Sequence, residues 1–136
     1  MSTSKLEVVT PQKKILAVEV ESVIAPGTEG YLGVLPRHAP LLAILKSGVV
    51  YYRKVGGKTE HMAVSGGFME AGPDKVIILA DMAELSAEID IERARRAKER
   101  AEKRLRERPP GLDRDRAEKA LQRSLARLKA ASSFDK

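Results

Sequence analysis

Two different hydrophobic patterns divide the chain. Up to about residue 85, short apolar runs rich in β-branched residues alternate with turn residues at roughly 8–12-residue spacing, which is typical of an all-β domain. The runs at 14–25, 41–45 and 76–80 are among the predicted strands. Gly56-Gly57 separates two further runs and predicts a β-hairpin, because glycine adopts positive φ without steric cost. Residues 1–85 are therefore predicted to fold as a β-sandwich or flattened barrel.

The pattern becomes helical over residues 86–136. Asp90 and Asp113 are placed to cap two helices, and Pro109-Pro110-Gly111 must end the first of them. Apolar or small residues recur at helical spacing on one face of each helix: Ala94, Ala97, Ala101 and Leu105, then Ala117, Leu121, Ser124, Leu125 and Leu128. Two such faces joined by a tight turn predict an antiparallel helical hairpin. Because the first face is mostly alanine, it buries little area and the hairpin is expected to be weakly held.

The net charge of +6 is concentrated in the helical half. Residues 1–88 carry 9 Lys/Arg and 10 Asp/Glu, whereas residues 89–136 carry 16 Lys/Arg, of which 11 are arginine, and 9 Asp/Glu. At about 100° per residue, the arginines form one strip on each helix. The strips are Arg93, Arg100 and Arg104, then Arg116, Arg123 and Arg127, with Arg95 and Arg106 on the other side. Antiparallel packing brings both strips to one face, which either is solvated or binds a polyanion.

The rest of the sequence offers little reactive chemistry. The absence of cysteine excludes disulfides and thiol metal sites, and His38 and His61 lack partners at metal-binding spacing. No nucleophile elbow or phosphate-binding glycine loop is present. No apolar run approaches the ~18 residues of a membrane span, and no signal peptide is evident. We therefore expect a soluble cytosolic protein, not an enzyme, with no catalytic residue and no metal site. His61 itself is expected to be a half-buried or surface strand residue.

One loop resembles a known family signature. Gly30-Tyr31-Leu32-Gly33-Val34, followed by Leu35-Pro36-Arg37-His38-Ala39-Pro40-Leu41, is similar to the signature of the epsilon subunit of F-type ATP synthases. Ser65-Gly66-Gly67 and the Ala80-Asp81 segment before the helices are similar too, so the resemblance covers the whole chain. It implies a ten-stranded β-sandwich followed by an antiparallel α-helical hairpin. Arg37 stands where many members have a small residue.

A second resemblance concerns a nucleotide site. The run Ile89-Asp90-Ile91-Glu92-Arg93-Ala94 fits the Ile/Leu-Asp-x-x-Arg-Ala motif by which some bacterial epsilon subunits bind ATP on the folded hairpin. The resemblance implies an ATP site formed by Glu84, Ile89, Asp90, Arg93, Ala94, Arg100, Arg123 and Arg127. ATP would then act as a regulatory ligand, not as a catalytic cofactor. The alternative for Asp90 is a plain helix cap.

The resemblance also implies partners. The sandwich would bind the gamma subunit and rest on the ring of c subunits at the cytoplasmic face of the cell membrane, with Tyr31 and His38 at partner contacts. An extended hairpin would meet the alpha and beta subunits of the catalytic head and oppose ATP hydrolysis. Two alternatives stay open: a purely structural stalk subunit, and a basic nucleic-acid-binding adaptor. Aromatic residues are 4% of the chain and Phe134 is the only one in the tail. Few side chains could therefore stack on bases, which disfavours the nucleic-acid-binding adaptor.

Overall fold

The computed structural model describes residues 2–132, with strands first and helices last. The strands are β1 (Ser4–Val9), β2 (Lys14–Gly27), β3 (Gly30–Val34), β4 (Leu41–Leu45), β5 (Gly48–Lys54), β6 (Thr59–Ala71) and β7 (Lys75–Leu85). A 3-10 turn (Ser86–Glu88) leads to α1 (Ile91–Glu107) and α2 (Arg114–Ser132). Residues 133–136 of the predicted helical unit, with Phe134 among them, lie outside the described residues.

The strands hydrogen-bond into a closed ring. β1 pairs antiparallel with β2 and parallel with β7, β6 pairs with both β7 and β5, and β5 pairs with β2. β3 lies beside β2, and β4 lies beside β6, at the ends of these long strands. The ring is flattened around one hydrophobic core, so the predicted β-sandwich followed by an α-helical hairpin is confirmed.

The core forms because alternate residues of each strand point inward. Leu6 and Val8 of β1 are fully buried and pair across to Val76 and Ile78 of β7, which are also buried. Tyr52 of β5 lies in the same core at 4% exposure. Its burial, reinforced by the nearby charge of Glu60, raises the pKa of Tyr52 to about 12, so the phenol stays neutral at physiological pH.

The expected count of ten strands becomes seven among the described residues. β2, β6 and β7 span 14, 13 and 11 residues. β2 and β6 change pairing partners along their length, and β7 pairs with β1 only over its first half, so dividing each strand at that point recovers ten. Gly66-Gly67 lies inside β6, with φ of 68° and 115°. A Cβ on Gly67 would clash with the Leu79 carbonyl oxygen. Glycine is therefore what allows β6 to turn here while staying paired with β7.

Both predicted helix caps form. The Arg93 amide donates to Asp90 Oδ1 at 3.0 Å, and the Arg116 amide donates to Asp113 Oδ1 at 3.1 Å. Each bond satisfies one of the amides that a helix start leaves without a partner. α1 ends at Glu107, and its C-cap Arg108 adopts the left-handed conformation with φ 49° and ψ 58° immediately before Pro109. The predicted proline stop is therefore confirmed.

The hairpin packs on the sandwich through its second helix. α1 packs on α2, and α2 packs on β5 and β6. A small buried cluster joins the two parts: Val49, Tyr51, Ala63, Ile89, Ala126, Ala130 and Ala131. The prediction that Leu125 faces α1 is wrong, since its side chain is 38% exposed. Its neighbours Ser124 and Ala126 are buried on faces about 200° apart, one toward α1 and one toward the sandwich, so Leu125 lies on the outer arc between them.

Candidate functional site

A cavity of about 430 Å³ lies where the end of β7, the 3-10 turn and the two helices meet. Its wall consists of Glu84, Glu88, Asp90, Arg93, Ala94, Ala97, Arg100 and Arg127. β7 contributes Glu84, α2 contributes Arg127, and the first three turns of α1 with its cap contribute most of the rest. The sequence motif named six of these residues. It missed Glu88 and Ala97, although Ala97 sits one turn after Ala94 on the same helix face.

An ion pair crosses this cavity from the sandwich to the hairpin. Arg127 Nε donates to Glu84 Oε1 at 2.8 Å, and both side chains are about one-third exposed. The bond uses Nε, so the two terminal amino groups of the guanidinium remain as further donors. Glu84 therefore orients Arg127 without using its whole donor fork. Two-point donation of this kind suits the recognition of phosphate.

The remaining motif residues have structural roles that differ from one another. Asp90 caps α1 through Oδ1 and also lines the cavity, so capping and ligand contact are compatible. Ala94 is 2% exposed, and its small side chain allows α1 and α2 to approach closely. Ile89 is 8% exposed, lies in the cluster under α2 and does not line the cavity. Ile89 therefore anchors the start of the hairpin. It would affect a nucleotide site only by positioning the residues that line it.

Arg123 is not in the wall of this cavity. It lies beside Arg127 and Glu84 in a smaller space of about 150 Å³ against β6 and β7. It also lies with Arg100 and Arg127 in a groove of about 630 Å³ between the two helices. Because Arg127 borders all three spaces, Arg123 is adjacent to the cavity although it is not in its wall.

The arginines of the hairpin differ in the spaces that they line and in their ion pairs. Arg95 binds Glu92, and neither Arg95 nor Arg106 lines the cavity or the groove. Arg93, Arg100 and Arg123 form no ion pair with any carboxylate of residues 2–132. The cavity wall holds three arginines and three carboxylates, whereas the wall of the groove between the helices holds five arginines and one carboxylate. A concave space with such an excess of arginine produces a positive potential that attracts anions. The arrangement is suited to binding a phosphate-bearing ligand.

Tyr31 and His38, the predicted partner contacts, lie away from the cavity. The Val49 amide donates to Tyr31 Oη at 3.0 Å, and Lys129 Nζ lies 5.6 Å from the centre of the Tyr31 ring. Tyr31 is thus at the margin of the docked hairpin while remaining 44% exposed. His38 Nδ1 donates to the Ala39 carbonyl oxygen at 2.6 Å in the loop after β3, next to Arg37, which has a φ of 66°. Their contact with partners stays a prediction.

His61 is more buried than the sequence indicated. It is 6% exposed on the face of β6 that carries Ala63, and its ring packs edge-on to Tyr51 with centroids 5.0 Å apart. Its Nδ1 atom has no hydrogen-bond partner. Burial lowers the pKa of His61, an effect that the negative charge of Glu60 opposes. Tyr51 and Ala63 contact the docking residues of α2, so this histidine lies at the sandwich surface that the hairpin covers.

Comparison with known proteins shows the family to which this chain belongs. Residues 3–86 match the family described as "ATP synthase, Delta/Epsilon chain, beta-sandwich domain". Residues 87–132 match "ATP synthase, Delta/Epsilon chain, long alpha-helix domain". The chain therefore belongs to the ATP synthase delta/epsilon chain family. No helix within residues 2–132 has the length and hydropathy required to cross a membrane.

The relatives indicate the epsilon type within this family. The ATP synthase epsilon chain of Moorella thermoacetica is 62% identical over 98% of this chain and 100% of the relative. The epsilon chain of Nitratidesulfovibrio vulgaris is 52% identical over 91% of this chain and 92% of the relative. Among solved structures, a chain of the Euglena gracilis mitochondrial ATP synthase, in a complex of OSCP, F1 and c-ring, is 27% identical. It superposes with a TM-score of 0.82 over 96% of this chain and 82% of that chain.

Proposed function

We propose that this chain is a central-stalk rotor subunit of a proton-translocating F-type ATP synthase, and that its hairpin senses ATP and restrains ATP hydrolysis. Family membership and epsilon-chain relatives support the stalk role. One observation carries the sensing role: Glu84, Asp90, Arg93, Arg100 and Arg127 converge on one cavity between the sandwich and the hairpin. The protein would work at the cytoplasmic face of the membrane as a peripheral, non-catalytic part of the complex.

The sandwich presents a surface suited to a protein partner. Ile44, Phe68 and Leu79 are neighbours across β4, β6 and β7, and they are 57%, 49% and 53% exposed. Leu42, two residues from Ile44 on the same face, is 66% exposed. A contiguous exposed apolar row is the usual mark of a protein interface. In our proposal this row binds the gamma subunit, and the loop with Tyr31 and His38 faces the ring of c subunits.

The cavity gives ATP a means of acting on the hairpin. Its wall includes residues from β7, α1 and α2, so a bound nucleotide would contact the sandwich and both helices at once. Such a ligand binds the folded hairpin more tightly than an extended one, and it shifts the equilibrium by that difference in affinity. An extended hairpin would place its basic helices against acidic segments of the alpha and beta subunits and oppose hydrolysis. ATP would be a regulatory ligand that this chain binds without transforming.

Calorimetric titration of the isolated chain with ATP tests the site. Each charge-assisted contact is worth about 1.5–3 kcal/mol, so Arg127→Ala or Arg100→Ala should weaken ATP binding by about ten-fold to somewhat over a hundred-fold. Arg→Lys at either position should recover only part of the affinity, because lysine lacks the planar fork. Arg95→Ala and Arg106→Ala are matched controls on the back of the same hairpin and should change little. Equal losses at site and control positions would mean diffuse electrostatics and no site.

Removal of residues 86–136 tests the restraint separately. The truncated subunit should still assemble into the complex, because the sandwich core is formed before residue 86. ATP hydrolysis by the reconstituted complex should then rise. An unchanged or lower rate would rule out inhibition by the hairpin. If the intact chain also bound no ATP, the purely structural stalk subunit would be the correct function.

A further inference from the structure

We propose that the groove between the two helices is a second anion site, which takes a linear phosphate chain and continues the nucleotide cavity toward the hairpin turn. The groove has a volume of about 630 Å³ and runs between α1 and α2 to Pro109 and Pro110. Five arginines line it: Arg100, Arg104, Arg116, Arg123 and Arg127. Its wall has one carboxylate, that of Asp113, whose Oδ1 already accepts the Arg116 amide as the cap of α2.

The arginines are arranged along the groove, not around one point. On α1, Arg100 and Arg104 are about one turn apart, and on α2, Arg116, Arg123 and Arg127 follow at about two turns and one turn. At 1.5 Å per residue, the α2 row spans roughly 16 Å. A single small anion can contact only part of such a row. A ligand with a negative charge on every unit of a chain can contact all of it.

The groove and the nucleotide cavity share a wall. Ala97, Arg100 and Arg127 border both spaces, so an anion held between Arg100 and Arg127 can extend from one into the other. Arg93 borders only the cavity. Arg104 and Arg116 border only the groove, and the proposed ATP site does not use them. These residues therefore separate the two sites experimentally.

Of the five groove arginines, Arg127 pairs with Glu84 and the other four make no ion pair within residues 2–132. Away from the groove wall, Lys98 pairs with Glu102 at 3.6 Å and Lys119 pairs with Asp115 at 3.1 Å. Within residues 2–132, neither Arg104 nor Arg116 makes an ion pair. The carboxylates of Glu102 and Asp115 thus pair with lysines outside the groove. An external anion is what would balance the charge inside it.

The composition of the wall favours phosphate over other polyanions. Apart from the arginines and Asp113, it is formed by alanines, the Pro109-Pro110-Gly111 turn, Leu112 and Ser124. It contains no aromatic side chain on which a nucleic-acid base could stack. It offers Leu112 as its one large aliphatic side chain, so an acidic peptide would find little apolar anchorage. A phosphate chain needs only forked donors at intervals, which arginine supplies.

The test uses the full-length chain and three ligands at constant ionic strength: tripolyphosphate, long-chain inorganic polyphosphate and adenosine tetraphosphate. Long-chain polyphosphate should bind more tightly than tripolyphosphate. Arg104→Ala and Arg116→Ala should each weaken its binding by about ten-fold, the lower end for a contact to a charged group. Arg106→Ala and Arg114→Ala are matched controls, two residues away on the same helices, and should retain it. Circular dichroism establishes that each variant keeps its helices.

Inorganic affinity that does not grow with chain length, together with adenosine tetraphosphate binding that Arg104→Ala leaves unchanged, would overturn the proposal and leave a solvated basic face, as would equal losses in the matched controls. The ATP site is tested apart from this, because Arg93→Ala should weaken ATP binding and spare long-chain polyphosphate. Chain-length dependence without ATP binding would therefore contradict the proposed ATP sensing and support the groove. Tight binding of the inorganic chain would support free polyphosphate as the source. Tight binding of adenosine tetraphosphate alone, lost in Arg104→Ala, would support the groove as an extension for nucleotide-borne phosphates.

Discussion

The two buried regions of this molecule differ in the size of the side chains that fill them. In the sandwich, Leu6, Met62, Met69 and Ile78 are completely buried and branched or long side chains interdigitate. Where the hairpin docks, the helical contribution is Ala126, Ala130 and Ala131. At about 25 cal/mol per Å² of apolar surface, a methyl group contributes far less than a leucine or methionine side chain. The sandwich is thus a stable platform, and the hairpin is an element that small free energies can displace.

This difference in side-chain size bears on the regulation proposed above. A ligand changes a conformational equilibrium only by its difference in affinity for the two states, and a few kcal/mol is a typical amount. A hairpin fastened by leucines would not respond to such a ligand. In the regulation proposed above, the hairpin responds to the ligand because its docking helix contributes alanines and the Glu84–Arg127 ion pair instead of large apolar side chains.

The largest loss of stability should follow from creating a cavity in the sandwich core. Leu6→Ala removes a completely buried side chain from β1, and it should lower the free energy of unfolding by about 2–5 kcal/mol. Leu125→Ala is the matched change in the hairpin. Because Leu125 is 38% exposed, the loss there should be about 0.5 kcal/mol or less. Urea denaturation of both variants measures this, and comparable losses would show that the two regions do not differ as described.

A smaller effect should follow from overfilling the docking surface. Ala130 is completely buried against the sandwich, so Ala130→Leu should cost about 1–3 kcal/mol of docking free energy through steric strain. Amide hydrogen exchange should accelerate in α2 while β1–β7 stay protected. Gln122→Leu places the same leucine side chain at an exposed position of α2, where no packed space is overfilled, and should leave exchange unchanged. Faster exchange throughout the strands would mean that sandwich and hairpin unfold as one unit.

Much of the fold could be predicted because local signals and tertiary structure agree. The β-branched runs, the caps at Asp90 and Asp113, and the stop at Pro109 each act within a few residues, and all are confirmed. The count of ten strands becomes seven because β2, β6 and β7 are continuous, and at Gly66-Gly67 the chain bends without ending β6, which only the pairing with β7 shows. Leu125 was placed wrongly because helical spacing alone does not reveal that α2 has two contact faces.

The candidate site shows the same limit. Helical spacing and the family motif brought Arg93, Arg100 and Arg127 to one side, as the cavity wall has them, because all three depend on periodicity along regular helices. The Glu84–Arg127 pair joins residues 43 apart in sequence, and its geometry depends on how α2 docks. Burial of His61 depends on the same docking. Alanine carries too weak a hydrophobic signal for that docking face to be read from the sequence.

Loss of a helix cap should have an effect of about 1 kcal/mol, confined to the hairpin. Asp113→Ala removes the acceptor that holds the Arg116 amide at 3.1 Å and leaves that amide without an intrahelical partner. Asp115→Ala, in the same first turn, removes only the exposed pair with Lys119 and should cost less. Thermal melting followed by circular dichroism at 222 nm, which monitors helix, compares the two. Equal destabilisation by both variants would mean that charge near the helix start, not the cap, stabilises α2.

The smallest effect should be the pH dependence that His61 contributes. Burial lowers its pKa in the folded protein, whereas in the unfolded chain the ordinary value is about 6.5. Below that value the unfolded state binds more protons at this residue than the folded state, so stability decreases as the pH falls from about 6.5 toward the lowered pKa. Glu60 favours the protonated ring and keeps the change small, and Tyr51 covers the ring edge-on.

Denaturation of the wild type and of His61→Gln between about pH 5 and 8, the range over which histidine titrates, isolates this contribution. The wild type should lose more stability than His61→Gln as the pH falls, and His38→Gln, which keeps His61, should behave as the wild type. Because Tyr51 and Ala63 also contact the docking residues of α2, hydrogen exchange in that helix should accelerate on acidification in the wild type. Parallel pH profiles for wild type and His61→Gln would place this histidine outside the contacts that hold the hairpin. If acidification accelerates exchange only in the strands, protonation of His61 destabilises the sandwich and not the docking of the hairpin.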